Sequence, residues 1–524
     1  MTPSLHPRLC DPLRDRVLFE SPSVLVVHKP AGLAVDAPER SDDLLRMVRR
    51  SRATSAMSPY VAVVHRLERD VSGPCVLSLD RAHNARLAPP LEKRTARRTI
   101  VAAVAASLSE QAIKRALASH KILRKTPLGS LVEFDPKSDK TLAIVERLGP
   151  ALLAPLHMSA LEVATSEREN TVVRAEIPFA LYDAIAPSLE LAQEDARLVE
   201  RLRAGLWRRS LVLEDASTDI VRLANEGGDD VAGLAVDRYG AFAVAHVYGT
   251  LSDERAKQRV FSAIAEAFGS KGVYAKYRPK QANTLVDTRR DDVAPSVPVF
   301  GEPCEAEPFT VREHDVRYVA RLGDGLSTGI FIDQRENRRW LRDHARGRSV
   351  LNLFSYTGAF SVAAAVGGAS RSLSIDASRS SCAWMREHLA ANSEAIADRS
   401  QHEAICAEVF GWLDGARARR DRFDLVVCDP PSYSFAKDGP RWSSERDWPV
   451  LASNVFAVCA PGSTALMCSN HRGISQAKFE AMLREGARRA KVTIAAIESI
   501  PVCDDFPAAR GEYGHLKSMR VRLG

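Results

Sequence analysis

Three strand ends between Val350 and Tyr433 constrain this chain more than any other feature. An apolar run, VLNLF, enters the glycine-containing turn SYTGAF over 350–360. A second run, SLSID at 372–376, ends in an acid, and a third, FDLVVCDPPSY at 423–433, runs into Asp-Pro-Pro. Short apolar strands separated by helical stretches imply an α/β domain with a doubly wound, Rossmann-like parallel sheet. Such sheets bind ligands outside the carboxyl ends of their strands, and all three motifs sit at such ends.

The ligand these ends fit best is S-adenosylmethionine (SAM), a nucleoside joined through a sulfonium to a charged amino acid. Gly358 lets the backbone approach a ligand after the first strand, with Ser355, Tyr356 and Thr357 lining the turn. Asp376 follows Gly358 by 18 residues, where an acid accepts hydrogen bonds from a ribose. Glu408 follows a third strand, read as HEAICAE, and is expected beside the adenine; Asp429 ends the fourth. Neither GxGxxG nor GxxxxGK[ST] occurs, which disfavours dinucleotide enzymes and P-loop ATPases.

With 524 residues the chain has room for about three domains. We expect boundaries near 195 and 300, giving an α+β segment over 1–195, a small α/β segment over 196–300 and the doubly wound domain over 301–524. In the middle segment SDERAKQRVFSAIAEAFG reads as a helix capped by Ser252 and ended by Gly269. A net charge of +7 permits a phosphate-rich partner. Nine cysteines without a CxxC pair argue against a disulfide framework or a metal site. The first residues lack a secretory apolar core and no run spans a membrane, so a cytoplasmic protein without a membrane partner is expected.

Four motifs carry a resemblance. GLAVDRYG (233–240), TGIFIDQRENRR (328–339), LNLFSYTGAFSVAAAVGGA (351–369) and FDLVVCDPPSY (423–433) resemble the bacterial large-subunit ribosomal RNA methyltransferase I family, of the cytosine-C5 type. That family's small amino-terminal RNA-binding module is not recognisable here. The resemblance implies a class I SAM methyltransferase acting on ribosomal RNA or a ribosomal subunit. It also adds Gln334 and Arg335 to the SAM site.

Cytosine C5 is a poor nucleophile, so its methylation requires a thiolate to attack C6. Cys468, in STALMCSNHRG at the end of a fifth strand, is the expected nucleophile and Asp429 its catalytic partner. Cys428 points to the opposite face from Asp429, because side chains alternate along a strand. Asp-Pro-Pro-aromatic is also a signature of amino-group methylation. There Asp429 and a carbonyl of Pro430 or Pro431 hold an NH2 group while Tyr433 stacks on the base. Guanine methylation, at N2 or N7, is therefore the alternative.

The amino-terminal segment resembles something else. VVHKPAGLAV (26–35) and VHRLERDVSG (64–73) resemble RluA-type pseudouridine synthases. Where that family has its catalytic Asp this chain has Glu68, and its Thr and Tyr correspond to Val71 and Thr99. The later basic stretch is reduced to Arg174. These changes imply a domain without isomerase activity, kept to bind RNA through Arg66, Arg69, Arg94, Arg97 and Arg98. The other readings are a bifunctional enzyme and a non-catalytic assembly protein. The sequence leaves the oligomeric state open.

Overall fold

The computed structural model describes residues 13–524 except 14–15, 38–42, 53–59, 118, 138–139, 166–168, 186–194, 249–250, 252, 279–289, 306–307, 435–441 and 509–513. The chain divides into two compact units. One draws on Leu5–Leu191 and Leu206–Leu211, the other on Ala192–Gly205 and Val212–Gly524. The second unit thus contains both the 196–300 and the 301–524 segments, apart from Leu206–Leu211.

The first unit is α+β. Its strands Val17–Glu20, Val24–Lys29, Gly73–Ser78 and Ala62–Val63 form one sheet in that order. A five-stranded sheet runs His120–Lys125, Gly129–Phe134, Arg98–Ala105, His157–Ala164 and Asn170–Arg174. Gly73 marks where they meet: Ser72 bridges His157, and a Cβ on Gly73 would lie 2.3 Å from the Met158 carbonyl oxygen. The larger of two apolar clusters in this unit takes in Trp207 from the returning segment, and the smaller gathers Val101, Ala103, Leu131, Ala154, Leu181 and Ile185.

The second unit opens with a five-stranded sheet: Ile220–Asn225, Leu234–Tyr239, Phe242–Val247, Gly272–Tyr277 and Phe300–Gly301. Its helix Glu254–Phe268 is capped by Asp253, whose carboxylate accepts from the Ala256 amide at 2.7 Å. The expected cap, Ser252, lies outside the described residues. Gly269 ends the helix with φ of 64°.

The main sheet has seven strands: β1 (Ser349–Leu353), β2 (Arg371–Asp376), β3 (His402–Cys406), β4 (Phe423–Cys428), β5 (Cys459–Ser469), β6 (Ile494–Ile500) and β7 (Lys517–Leu523). The order is β3-β2-β1-β4-β5-β7-β6. Strands β1 to β5 pair in parallel and β7 runs antiparallel to both neighbours. Helices α1 (Arg335–His344), α2 (Ala359–Val366), α3 (Arg379–Ala391), α4 (Val409–Arg419), α5 (Ser444–Phe456) and α6 (Gln476–Ala490) accompany it. Two separate apolar clusters, one holding Cys428 and the other Cys468, include residues of this sheet. The expected doubly wound fold is present, with the antiparallel β7 inserted between β5 and the edge strand β6.

Register decides what meets at the strand ends. Leu353 pairs with Ile375 on one side and Cys428 on the other, and Cys428 pairs with Met467. The residues just beyond, Phe354, Asp376, Asp429 and Cys468, therefore share one level of the sheet.

Candidate functional site

The turn after β1 is unusual in its backbone. Phe354, Tyr356 and Gly358 have φ of 56°, 49° and 72°. Two of these are not glycine, and positive φ is uncommon for bulky side chains such as Phe and Tyr. The turn is held from both sides: the Tyr356 amide donates to Asp376 Oδ2 at 2.8 Å, and Thr357 Oγ1 donates to the Gly329 carbonyl at 2.5 Å. Gly358 is obligatory, since a Cβ there would lie 2.5 Å from Met385 Sδ. Ala359 and Phe360 begin α2, and first-turn amides have no partner within their own helix. Both residues line a cleft with Ser355, Tyr356 and Thr357.

The far side of that cleft is formed by Phe331, Gln334, Arg338 and Asp429. Gln334 Nε2 donates to Asp429 Oδ2 at 2.8 Å, while Gln334 Oε1 accepts from Asn337 Nδ2 at 2.6 Å. Asn337 in turn donates to Ser518 Oγ at 2.9 Å. Burial, followed by the nearby Asp333 carboxylate, pushes the Asp429 carboxyl up to about 7. Arg338 lies close but is matched: it forms a buried two-pronged pair with Glu313, 2.7 Å on each prong.

Cys468 reaches the right level but not the cleft surface. It is 0 % exposed and is not among the cleft-lining residues. Its Sγ sits 3.5 Å from Ser518 Oγ and 3.8 Å from Gln334 Oε1. Burial, and then the Asp429 charge, push its thiol well above the ordinary range. Cys428 lies in the other apolar cluster, as alternation along β4 requires.

Several expected cofactor residues are occupied with structural work. Arg335 does not line the cleft; its guanidinium pairs with the buried Asp505 at 2.6 and 3.1 Å. Asp505 also accepts from the Arg222 amide at 3.0 Å, which ties α1 to the five-stranded sheet. Glu408 caps α4, accepting from the Phe410 and Gly411 amides at 3.0 and 2.8 Å. Asp376 accepts from Ser378 as well as Tyr356, and burial raises its carboxyl despite those two bonds. Pro430 is buried and Pro431 exposed, the latter's carbonyl accepting from Trp442 Nε1 at 2.8 Å. Tyr433 lies in a two-stranded ribbon, and its side chain is outside the described residues.

In the first unit the loop 64–70 is clamped by Lys29. This fully buried ammonium donates to the carbonyls of Pro30, Leu33 and Arg69 at 3.0, 2.7 and 2.9 Å. Burial lowers its pKa to about 8. Glu68, Arg66 and Arg69 are exposed on that loop, Arg66 paired with Asp36 at 3.2 Å and Arg69 bonded to the Gly32 carbonyl at 2.9 Å. Arg97 is exposed and Arg94 half-buried. Arg98 corrects the expectation for the basic stretch: it starts a strand, is buried, and donates to the Lys137 carbonyl at 2.5 Å. A guanidinium committed inside the unit is not a phosphate contact.

Sequence reasoning missed Asn337 and Ser518, which organise the Gln334 cluster, and Asp505, which holds Arg335. The one available signal was the spacing of Gln334 and Asn337, three residues apart at the start of a helix. Among the described residues no His, Cys, Asp and Glu cluster is placed to hold a metal, and no helix is long and apolar enough to cross a membrane.

Strand order and acid-bearing strand ends define a doubly wound α/β domain with a cleft at its carboxyl ends, and comparison with known proteins gives the class. Residues 263–522 match the family model described as S-adenosylmethionine-dependent methyltransferase, and residues 23–177 that described as RNA pseudouridylate synthase. A Bacillus subtilis protein provisionally named as a ribosomal RNA large subunit methyltransferase, YwbD, is 31% identical over 60% of this chain and 76% of its own length. A ribosomal RNA large subunit methyltransferase of Deinococcus radiodurans is 30% identical over 66% of this chain and 85% of its own. A crystal structure provisionally named as a methyltransferase, complexed with S-adenosylhomocysteine (SAH), shares the fold. Its TM-score is 0.56 at 24% identity, over 70% of this chain and 88% of that one. The chain belongs to the S-adenosylmethionine-dependent methyltransferase family, with SAM as its cofactor and a pseudouridine synthase-like domain ahead of the catalytic one.

Proposed function

We propose that the chain methylates a base of large-subunit ribosomal RNA, and that the acceptor atom is C5 of a cytosine. The names of the relatives support the RNA class. The observation that carries the acceptor atom is the chain Asp429–Gln334–Cys468, with steps of 2.8 and 3.8 Å across adjacent strand ends. Cys468 belongs to an apolar cluster, but its sulfur also meets Gln334, Asn337 and Ser518, polar partners that packing alone does not require.

SAM supplies an electrophilic methyl group when bound. The SYTG turn and the amino end of α2 are suited to its carboxylate, because first-turn amides favour an anion. We assign Asp376 to the ribose hydroxyls and leave Arg335 and Glu408 as supports of the backbone around the site. Cys468 gives its proton to solvent and adds through sulfur to C6 of the base, while the carboxyl of Asp429, held near neutrality, gives its proton to N3. C5 then carries the nucleophilic electron pair and would take the methyl group. A solvent base removes the C5 proton, the Cys468 sulfur leaves as thiolate, and the N3 proton returns to Asp429, which restores the ring.

A second reading is supported by the burial of Cys468 and its raised thiol pKa. Asp429 and a proline carbonyl would then hold an exocyclic amino group, as on guanine. Nucleoside mass spectrometry after Cys468→Ala separates the two: loss of 5-methylcytidine supports the thiol route, whereas unchanged methyl transfer removes it. For the amino-terminal unit we propose RNA binding without isomerisation, with Arg66, Arg69 and Arg97 meeting phosphates. The action is assigned to the cytoplasm.

A further inference from the structure

Phe331 has no role in the mechanism above, yet its placement is costly. It is 53% exposed, while Ile330 and Ile332 on either side are 5% and 4% exposed. Among the residues whose side chains are described it is the one exposed phenylalanine. A single exposed apolar side chain is ordinary on a protein surface, so what distinguishes Phe331 is where it stands. Here the surface is the cleft: Phe331 lines it together with Asp429, Gln334 and Tyr356.

Its backbone is fixed relative to the reacting groups. Phe331 is the cap of the short helix Ile332–Gln334, and the last residue of that helix holds Asp429 at 2.8 Å. Its ring centroid lies 5.3 Å from that of Tyr356, with the planes tilted by 50°. The two rings thus form an open angle at the rim, not a closed stack.

Methylation of a base needs that base taken out of its own stack. The loss is offset when an aromatic face receives it, and every base has a face to offer. We propose that Phe331 is the stacking platform for the acceptor base, setting it against Asp429; this rests on the reading that the acceptor is an RNA base. The side chain acts on the substrate and not on the cofactor, whose turn is organised by Asp376, Thr357 and Gly358.

The test uses the full-length protein, large-subunit RNA from a strain lacking the gene, and two readouts: steady-state methyl transfer and SAM affinity by calorimetry. Phe331→Ala is expected to lower kcat/KM for RNA roughly ten- to a hundredfold, with SAM affinity within about twofold of wild type. Phe331→Trp should restore transfer and Phe331→Leu should not. A fall in SAM affinity matching the fall in transfer would place the ring on the cofactor and overturn the proposal. So would unchanged transfer by Phe331→Ala. If the wild-type protein transfers no methyl group to RNA, the acceptor reading itself fails and the platform with it, an outcome distinct from an active wild type indifferent to Phe331.

Discussion

Two loops in this chain carry an acid that the sequence motifs single out, Asp429 and Glu68, and they are held in opposite ways. At the end of β4 the side chain of Gln334 grips the carboxylate of Asp429 itself, at 2.8 Å. In the amino-terminal unit Lys29 grips the backbone of loop 64–70, through the Arg69 carbonyl at 2.9 Å, and Glu68 stands exposed. Both loops keep an elaborate support. Only one keeps its acid half-buried, where desolvation shifts a carboxyl toward neutrality. A comparable backbone scaffold can thus surround a half-buried acid or an exposed one, because the scaffold also holds the fold together.

The largest effect expected from this contrast is at Asp429. Asp429→Asn should lower kcat about a hundred- to ten-thousandfold, the range for a lost proton-transfer group. SAM affinity measured by calorimetry should change little. Next comes the ion pair beneath the cleft. Glu313→Gln leaves Arg338 buried without its counter-charge and should cost about 3–5 kcal/mol in urea unfolding. Asp36→Asn, which breaks the exposed Arg66 pair, should cost under about 1 kcal/mol.

The pH profile sharpens the choice between acceptor atoms. With Asp429 near 7, a mechanism that needs it protonated loses rate as pH rises through about 7. A mechanism in which its carboxylate holds an amino group gains rate over the same window. Stability has its own sign. The folded protein keeps a proton that the unfolded chain releases near pH 4, so this group lowers stability progressively from about 4 to 7. Asp429→Asn should remove that slope.

Smaller effects separate the arginines of the first unit. Arg97→Ala should weaken RNA binding in a salt-dependent way, lowering the salt slope by about one contact. Arg98→Ala should act instead on stability, since its guanidinium is committed to the Lys137 carbonyl. The smallest expected effect is at Glu68. Glu68→Gln should leave both methyl transfer and pseudouridine content unchanged, and any loss of pseudouridine would break the comparison at its base.

The strand ends were legible because local chemistry marks them: an acid after an apolar run, and a turn that needs Gly358. Parallel register then fixed their common level, as it must in such a sheet. The fate of Arg335, Glu408 and Arg98 was not legible. Each is a charged residue in the right motif, but its partner (Asp505, the α4 amides, the Lys137 carbonyl) is set by tertiary packing or by local capping. Ser252 was read as a cap where the next residue, Asp253, serves. Cys468 shows the limit most clearly, because alternation gives a side chain's face but not its depth.

The central claim is one methylating site joined to one silent isomerase-like domain. Quantitative nucleoside mass spectrometry of large-subunit RNA from a strain lacking this gene tests it most directly. The account predicts the loss of a single 5-methylcytidine, restored by the wild-type gene, with every pseudouridine intact. An unchanged set of methylated nucleosides, or a missing pseudouridine, would contradict it.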